Sequence, residues 1–116
     1  MTESSGIFTF PSTGYWLLEF TGEFYYAGDS RYQQIKIQTT TDDSSYDTAA
    51  LSTDGISQVE SSTTSSHTWA SFLFDVTSTS THKVRFSVVE SNSSVTVYGS
   101  TSVNLTHMTF IRLGDT

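Results

Sequence analysis

Apolar and polar residues alternate with a period of two along this chain, and this pattern constrains the fold more than any other feature. It is clearest between Tyr15 and Tyr26, where the even positions are Trp16, Leu18, Phe20, Gly22, Phe24 and Tyr26. Because successive side chains of a β-strand point to opposite faces, these even positions predict the core face of one long strand. No segment has the spacing of an amphipathic helix, so we expect an all-β protein.

Shorter segments repeat the alternation and are separated by polar loops. Strands are predicted at 6–10, 15–26, 32–38, 48–60, 69–76, 83–88, 95–98 and 108–113. Loops are predicted at 39–47, 61–68, 77–81 and 91–94. We expect the segment 48–60 to break at Asp54-Gly55, since Asp-Gly favours a type I′ hairpin turn. Many short strands with such turns predict an antiparallel two-sheet jelly-roll sandwich that forms a single domain over residues 1–116.

Composition excludes several classes of protein and site. The 116 residues contain no cysteine, which excludes disulfide frameworks and thiolate metal sites. The net charge of −7 argues against binding a nucleic-acid backbone or an anionic membrane. No apolar run approaches the roughly 20 residues of a membrane span, so membrane insertion is not expected. Serine and threonine form about a third of the chain, and they suit strands and turns better than helices.

Motifs at both ends of the chain point to a known kind of jelly roll. Gly6-Ile7-Phe8-Thr9-Phe10-Pro11 leads through a Ser-Thr-Gly turn into a strand that opens on Gly14-Tyr15. This resembles the G-x-F-T-x-P-x-x-G-x-Y-x-F signature of C1q/TNF-like jelly rolls. Residues 109–115, Thr-Phe-Ile-Arg-Leu-Gly-Asp, resemble the closing strand of the versions found in phage and marine-virus structural proteins. The resemblance implies a non-enzymatic homotrimer on a virion surface, made in the host cytoplasm.

The chain also departs from this family at its start. Relatives carry two or three strands before the G-x-F-T-x-P motif, whereas five residues precede Gly6 here. Three explanations are open: those strands are lost, cut off or supplied by another chain. We expect residues 1–5 to form a short flexible arm and one sheet to have an uncovered edge near Met108–Leu113. A capsid or fibre protein, or the arm of a neighbouring subunit, would dock at this edge.

Several predicted strands are apolar on both faces, which suggests a subunit interface. The second apolar face consists of Tyr15, Leu17, Trp69, Leu73, Ile111 and Leu113. A small antiparallel sandwich needs only one buried face per sheet, so a second one calls for another cover. The alternative is that these residues are ordinary scattered surface hydrophobes. The family resemblance implies a threefold interface through the sheet that holds the long Gly-Tyr strand and the final strand.

No catalytic motif is present, and the candidate binding residues are few. His67, His82 and His107 lie in or beside polar segments without metal-site spacing, and we expect them to be exposed. Asp42, Asp43 and Asp47 form the densest acidic patch and are weak calcium candidates, although solvated loop aspartates are the commoner case. No other cofactor is indicated. Tyr25, Tyr26, Tyr32, Tyr46 and Tyr98 are candidates for a sugar-binding platform, although core-rim and interface roles are commoner.

These observations leave three functions open. The first is a capsid decoration protein and the second a fibre tip, which would stabilise the particle or adhere to a host-surface glycan or protein. The third, from a different class, is a carbohydrate-binding C1q-like lectin module. An enzyme is not expected, because no convergent set of titratable groups can be seen.

Overall fold

The computed structural model describes all 116 residues as an all-β antiparallel sandwich, which confirms the predicted fold class. Its nine strands are β1 (Thr2–Ser4), β2 (Ile7–Thr9), β3 (Gly14–Tyr26), β4 (Ser30–Thr40), β5 (Asp47–Ile56), β6 (Thr64–Val76), β7 (Lys83–Glu90), β8 (Thr96–Val97) and β9 (His107–Gly114). Sheet I has the order β1-β2-β7-β4-β5. Sheet II is β6-β3, with β9 and β8 both paired to the other side of β3. No helix is present that could span a membrane.

The longest strand, β3, has the inward and outward faces that the alternation predicts. Its even positions from Trp16 to Phe24 are buried, with Trp16 at 7% exposure and Leu18 and Phe24 at 0%, and Tyr26 at the strand end is half-buried. They meet Ile35 and Ile37 of β4 and other inward residues of sheet I in one core cluster of 13 buried residues. This sandwich core leaves the odd positions of β3 on the outer face of sheet II.

The hairpin turn predicted at Asp54-Gly55 was wrong. No hairpin forms at Asp54-Gly55, and β5 continues through this pair to Ile56, paired with β4. The tight turn with two positive φ angles lies at Ser5 (52°) and Gly6 (79°), where it joins β1 to β2. This geometry is that of a type I′ turn, which matches the twist of the flanking strands. The segment 1–5, expected to be a flexible arm, therefore contains a short strand that covers β2.

The predicted loop at 61–68 was also wrong, because β6 begins at Thr64. Ser66 and Thr68 point inward and are buried, at 6% and 5% exposure. Ser66 Oγ accepts a hydrogen bond of 3.1 Å from Gln33 Nε2, and the hydroxyls of Thr68 and Ser52 bond to each other. Buried polar groups need such partners. Small hydroxyl residues thus occupy inward strand positions that the apolar pattern assigned to a loop.

The close approach of the two sheets at Gly22 gives a test of the packing. A Cβ atom built on Gly22 would lie 2.6 Å from Ile35 Cγ2 and 2.9 Å from the Phe24 ring. We expect Gly22→Ala to destabilise the fold by about 1–3 kcal/mol, because the core must shift to admit the methyl group. Gly99→Ala is the control, since nothing lies within 4 Å of its built Cβ. Chemical denaturation of both variants checks this, and equal midpoints would contradict it.

Candidate functional site

The six residues predicted to form an interface all lie on the outer face of sheet II, which we call the apolar face. Five of them are grouped at one end, and the row of Ser71, Glu19 and Thr109 separates Trp69 from this group. Leu17 lies between Leu73 of β6 and Ile111 of β9 in the strand register, so the three side chains form a row across the sheet. Directly opposed side chains in such pairs have Cβ atoms about 4.5–5.5 Å apart. Tyr15 is the next outward residue on β3, and Leu113 lies in the β9 bulge beside it.

The apolar face is open to solvent. Leu73 is 53% exposed, Ile111 43%, Leu113 59% and Tyr15 39%, whereas Leu17 is half-buried between its neighbours. Trp69, 59% exposed, lies farther along the sheet, opposite Thr21. Isolated surface hydrophobes are ordinary, but large side chains in contiguous rows mark an interaction surface.

Acidic residues continue the same face beyond the apolar rows. Glu19 lies between Ser71 and Thr109 in the strand register. Glu23 Oε1 is 2.8 Å from His67 Nδ1, and both side chains are partly exposed. An exposed pair of this kind contributes little stability. The sheet therefore changes from apolar to acidic along β3.

The three histidines lie in separate environments. His67 is exposed, as expected, and pairs with Glu23. His82 is half-buried, contrary to expectation, because its ring stacks on Phe74 at 5.6 Å and hydrogen-bonds to Thr77 and Thr81. His107, also half-buried, lies 2.8 Å from the Leu105 carbonyl. No group of three or more His, Asp or Glu side chains is placed to hold a metal ion.

The three calcium candidates, Asp42, Asp43 and Asp47, lie in or beside the loop between β4 and β5, and Asp42 stabilises this loop through hydrogen bonds. Asp42 Oδ1 accepts hydrogen bonds from the amides of Ser45 (2.8 Å) and Ser44 (2.9 Å) and from the Thr40 hydroxyl (2.8 Å). These donors hold the pKa of Asp42 well below its usual range, with the two backbone amides as the main cause. Asp43 has a positive φ of 60°, and its amide donates to Thr81 O. Asp47 begins β5. The three aspartates therefore do not form one ligand set.

The loop geometry predicts a local effect of Asp42. Asp42→Ala removes the acceptor of two amide hydrogen bonds, so the Ser44 and Ser45 amides should exchange with solvent faster. Asp47→Ala is the control, because Asp47 accepts no side-chain hydrogen bond. Because the folded pKa of Asp42 is lowered, the turn should persist above the usual aspartate pKa and loosen as the pH falls below it. Solvent-exchange NMR measures both effects, and unchanged Ser44 and Ser45 rates would refute the role of Asp42.

The candidate tyrosines are separate except for one pair. The Tyr25 and Tyr98 rings meet edge to face at 4.9 Å and, with Thr63 and Ser65, line a shallow cavity of about 210 Å³. This cavity lies at the end of sheet II farthest from Leu17. The remaining three tyrosines lie elsewhere: Tyr26 packs on the core, Tyr46 beneath Arg85, and Tyr32 in a second cavity.

The second cavity, of about 590 Å³, is polar and was missed by the sequence reasoning. Asp29 to Tyr32 form one wall and Glu90 to Ser93 the other. The walls are sixty residues apart in sequence, but the β4–β7 pairing brings them together, and a bond of 3.0 Å joins the Ser91 amide to Tyr32 O. No short motif marks such a site, since only the strand register creates it.

Glu90 is the unusual group of this cavity. Its Oε1 is buried without a hydrogen-bond partner, and burial raises the pKa of its carboxyl. Glu90 lies opposite Gln33, whose Oε1 is likewise buried and unpartnered. A proton on Glu90, or an amide in its place, adds a donor to this pair of acceptors.

This arrangement predicts a pH dependence of stability. Because the folded pKa of Glu90 is raised, the folded state holds the proton more tightly, and stability falls as the pH rises through that pKa. Glu90→Gln should therefore be more stable than the parent at pH 7 and lose this advantage near pH 4. Glu60→Gln, at an exposed glutamate, is the control. Thermal melts across this range measure the difference, and a variant less stable at pH 7 would contradict the assignment.

No family model, curated protein or solved structure matches this chain.

Proposed function

We propose that this chain is a non-enzymatic structural protein of a phage virion surface that assembles as a homotrimer through the apolar face. The observation that carries the proposal is the exposed row of Leu73, Leu17 and Ile111, flanked by Tyr15 and Leu113. Exposure of these apolar side chains to water is unfavourable. A second copy of the chain has a matching apolar surface that can cover them. Threefold assembly through this sheet follows from the resemblance to C1q/TNF-like jelly rolls.

The open edge of β9 supports a second contact. This strand pairs with β3 and with no other strand, so its other side offers unpaired backbone N–H and C=O groups. An added strand from a capsid or fibre protein would supply hydrogen bonds there. In this function the trimer decorates the capsid or forms a fibre tip, where it stabilises the particle or mediates adhesion to the host.

The Tyr25–Tyr98 cavity favours the lectin alternative. The two aromatic rings can pack against the C–H groups of a sugar ring, and the two neighbouring hydroxyl side chains can hydrogen-bond to its hydroxyls. Glycan binding that is lost in Tyr98→Ala, without co-sedimentation with capsids, would favour a lectin over a decoration protein.

The trimer is tested by mass. Light scattering after size exclusion at micromolar concentration should give roughly three times the 12.8 kDa of the chain. Leu73→Glu combined with Ile111→Glu should shift the mass to that of a monomer, because two charges would be buried in each interface without partners. The matched control is Val59→Glu combined with Val103→Glu, since these valines are at least as exposed, at 63% and 59%, and lie off the sheets.

A monomeric parent would refute assembly through the apolar face. Dissociation of the control variant to the same extent would show that added charge, rather than the position of the charge, disrupts the assembly.

A further inference from the structure

The outer face of sheet I carries a concentration of positive charge. Outward residues of β7 and β4 place Lys83, Arg85 and Lys36 on this surface. Gln34, Gln38 and two exposed apolar residues, Val89 of β7 and Leu51 of β5, lie beside them. We call this surface the cationic face. Arg85 is opposite Gln38 and Lys36 is opposite Ser87, so the three cations follow a diagonal across two strands. Lys83 and Arg85 are two residues apart on β7, which is about 7 Å, and Arg85 and Lys36 are diagonal neighbours on paired strands, about 7–8 Å apart.

This charge is conspicuous because the chain as a whole is acidic. Only five lysines and arginines stand against twelve acidic residues, yet three of the five lie here. The outward positions of β7 and β4 contain no acidic residue. The structure has two ion pairs, His67–Glu23 and Arg112–Asp115, and neither involves this face. The positive charge is therefore left without a carboxylate partner in the chain.

Neutral groups hold Arg85 in position. Its Nε donates to Gln38 Oε1 at 3.0 Å, and its guanidinium lies over the Tyr46 ring at 4.2 Å. The amide and the ring fix the orientation of the guanidinium without neutralising it, and the terminal NH₂ groups stay free to bind a planar anion. Burial raises the pKa of Tyr46, and the nearby charge of Asp43 raises it further, whereas Arg85 lowers it. Asp43 is therefore the acidic group at the margin of this face.

Lys83 is held in the same manner. Its Nζ donates to Thr9 Oγ1 and to the Thr79 carbonyl, both at 3.1 Å. Both acceptors are uncharged, so the ammonium keeps its full charge and one N–H for a ligand. Two of the three cations are thus positioned in advance by uncharged partners, which lowers the entropy cost of binding an anion.

We propose that the cationic face binds an acidic polysaccharide, with uronate carboxylates paired to Arg85, Lys83 and Lys36. The neighbouring Gln34, Ser87 and Thr53 offer amide and hydroxyl groups for sugar hydroxyls. Lysine supplies two of the three cations and is depleted in protein–protein interfaces, whereas arginine is enriched there, so the two lysines are what distinguish this surface from a protein interface. A nucleic acid carries denser charge, which the net charge of −7 repels more strongly.

The site lies on the opposite side of the sandwich from the apolar face, so it does not depend on the proposed trimer. Loss of the trimer would leave anion binding intact, and loss of anion binding would leave the trimer intact. The mass in solution measures the trimer, and a binding titration measures the site.

Titration calorimetry with polygalacturonate at low ionic strength tests the proposal. The parent protein should bind polygalacturonate, and the affinity should fall as salt is added. Neutral dextran should give no heat of binding. Lys36→Gln combined with Arg85→Gln should weaken binding about tenfold or more, because charge-assisted hydrogen bonds are lost. Arg85→Lys keeps the charge but loses the planar guanidinium that forms paired hydrogen bonds and stacks on Tyr46. Its affinity should therefore lie between those of the parent and the double variant.

The matched control is Arg31→Gln, which removes one positive charge at an exposed residue outside the diagonal and should change binding less than about twofold. Circular dichroism establishes that each variant is folded. The proposal is overturned if the parent does not bind polygalacturonate or if Arg31→Gln weakens binding as much as the double variant. Tighter binding of poly-glutamate or of a single-stranded oligonucleotide would overturn it in favour of a protein or nucleic-acid partner.

Discussion

Aromatic rings that meet between the two sheets hold the sandwich together, and the rest of the structure depends on them. Phe86 of sheet I contacts Phe20 and Phe110 of sheet II, with ring centroids 5.1 and 5.7 Å apart. Phe8 of β2 packs on Phe110 at 5.2 Å, so even the short N-terminal hairpin is tied to sheet II. Edge-on and tilted contacts of this kind contribute beyond the area they bury. They fix the inward face of each strand, and therefore also fix which side chains must point outward.

The outward side chains give the two faces of the sandwich different chemistry. Sheet II presents leucine, isoleucine and tyrosine followed by glutamate, whereas sheet I presents lysine, arginine and glutamine. Neither set is required by the core, because the inward residues of both sheets already bury the aromatic cluster. An apolar face favours a copy of the same chain, while a hydrated cationic face favours a soluble polyanion. A single fold can therefore carry self-assembly and ligand binding on opposite sides.

The alternation in the sequence predicted the inward face of β3 and the six residues of the apolar face, because period-two spacing depends only on strand geometry. It failed where buried residues are polar: the start of β6 was predicted as a loop because Ser66 and Thr68 face the core. The cationic face was not predicted, although Lys83 and Arg85 alternate with Val84 and Phe86 in the sequence. Its grouping with Lys36 requires the β4–β7 register, which no local pattern encodes. Long-range pairing similarly creates the cavity at Glu90.

The two sides of the sandwich also differ in how their edges are closed, and this difference bears on the proposed assembly. On one side the β6 edge is met by β5, where Asp54 accepts the His67 amide at 3.2 Å and the Ser52 and Thr68 hydroxyls bond to each other. On the other side β9 has an unpaired edge. Ile111 lies both on this strand and on the apolar face, so a copy that covers the apolar face also approaches the open edge. In the proposed trimer, packing on the apolar face would bring the neighbouring subunit beside the β9 edge, so strand addition there would be limited to a partner that fits the assembled trimer.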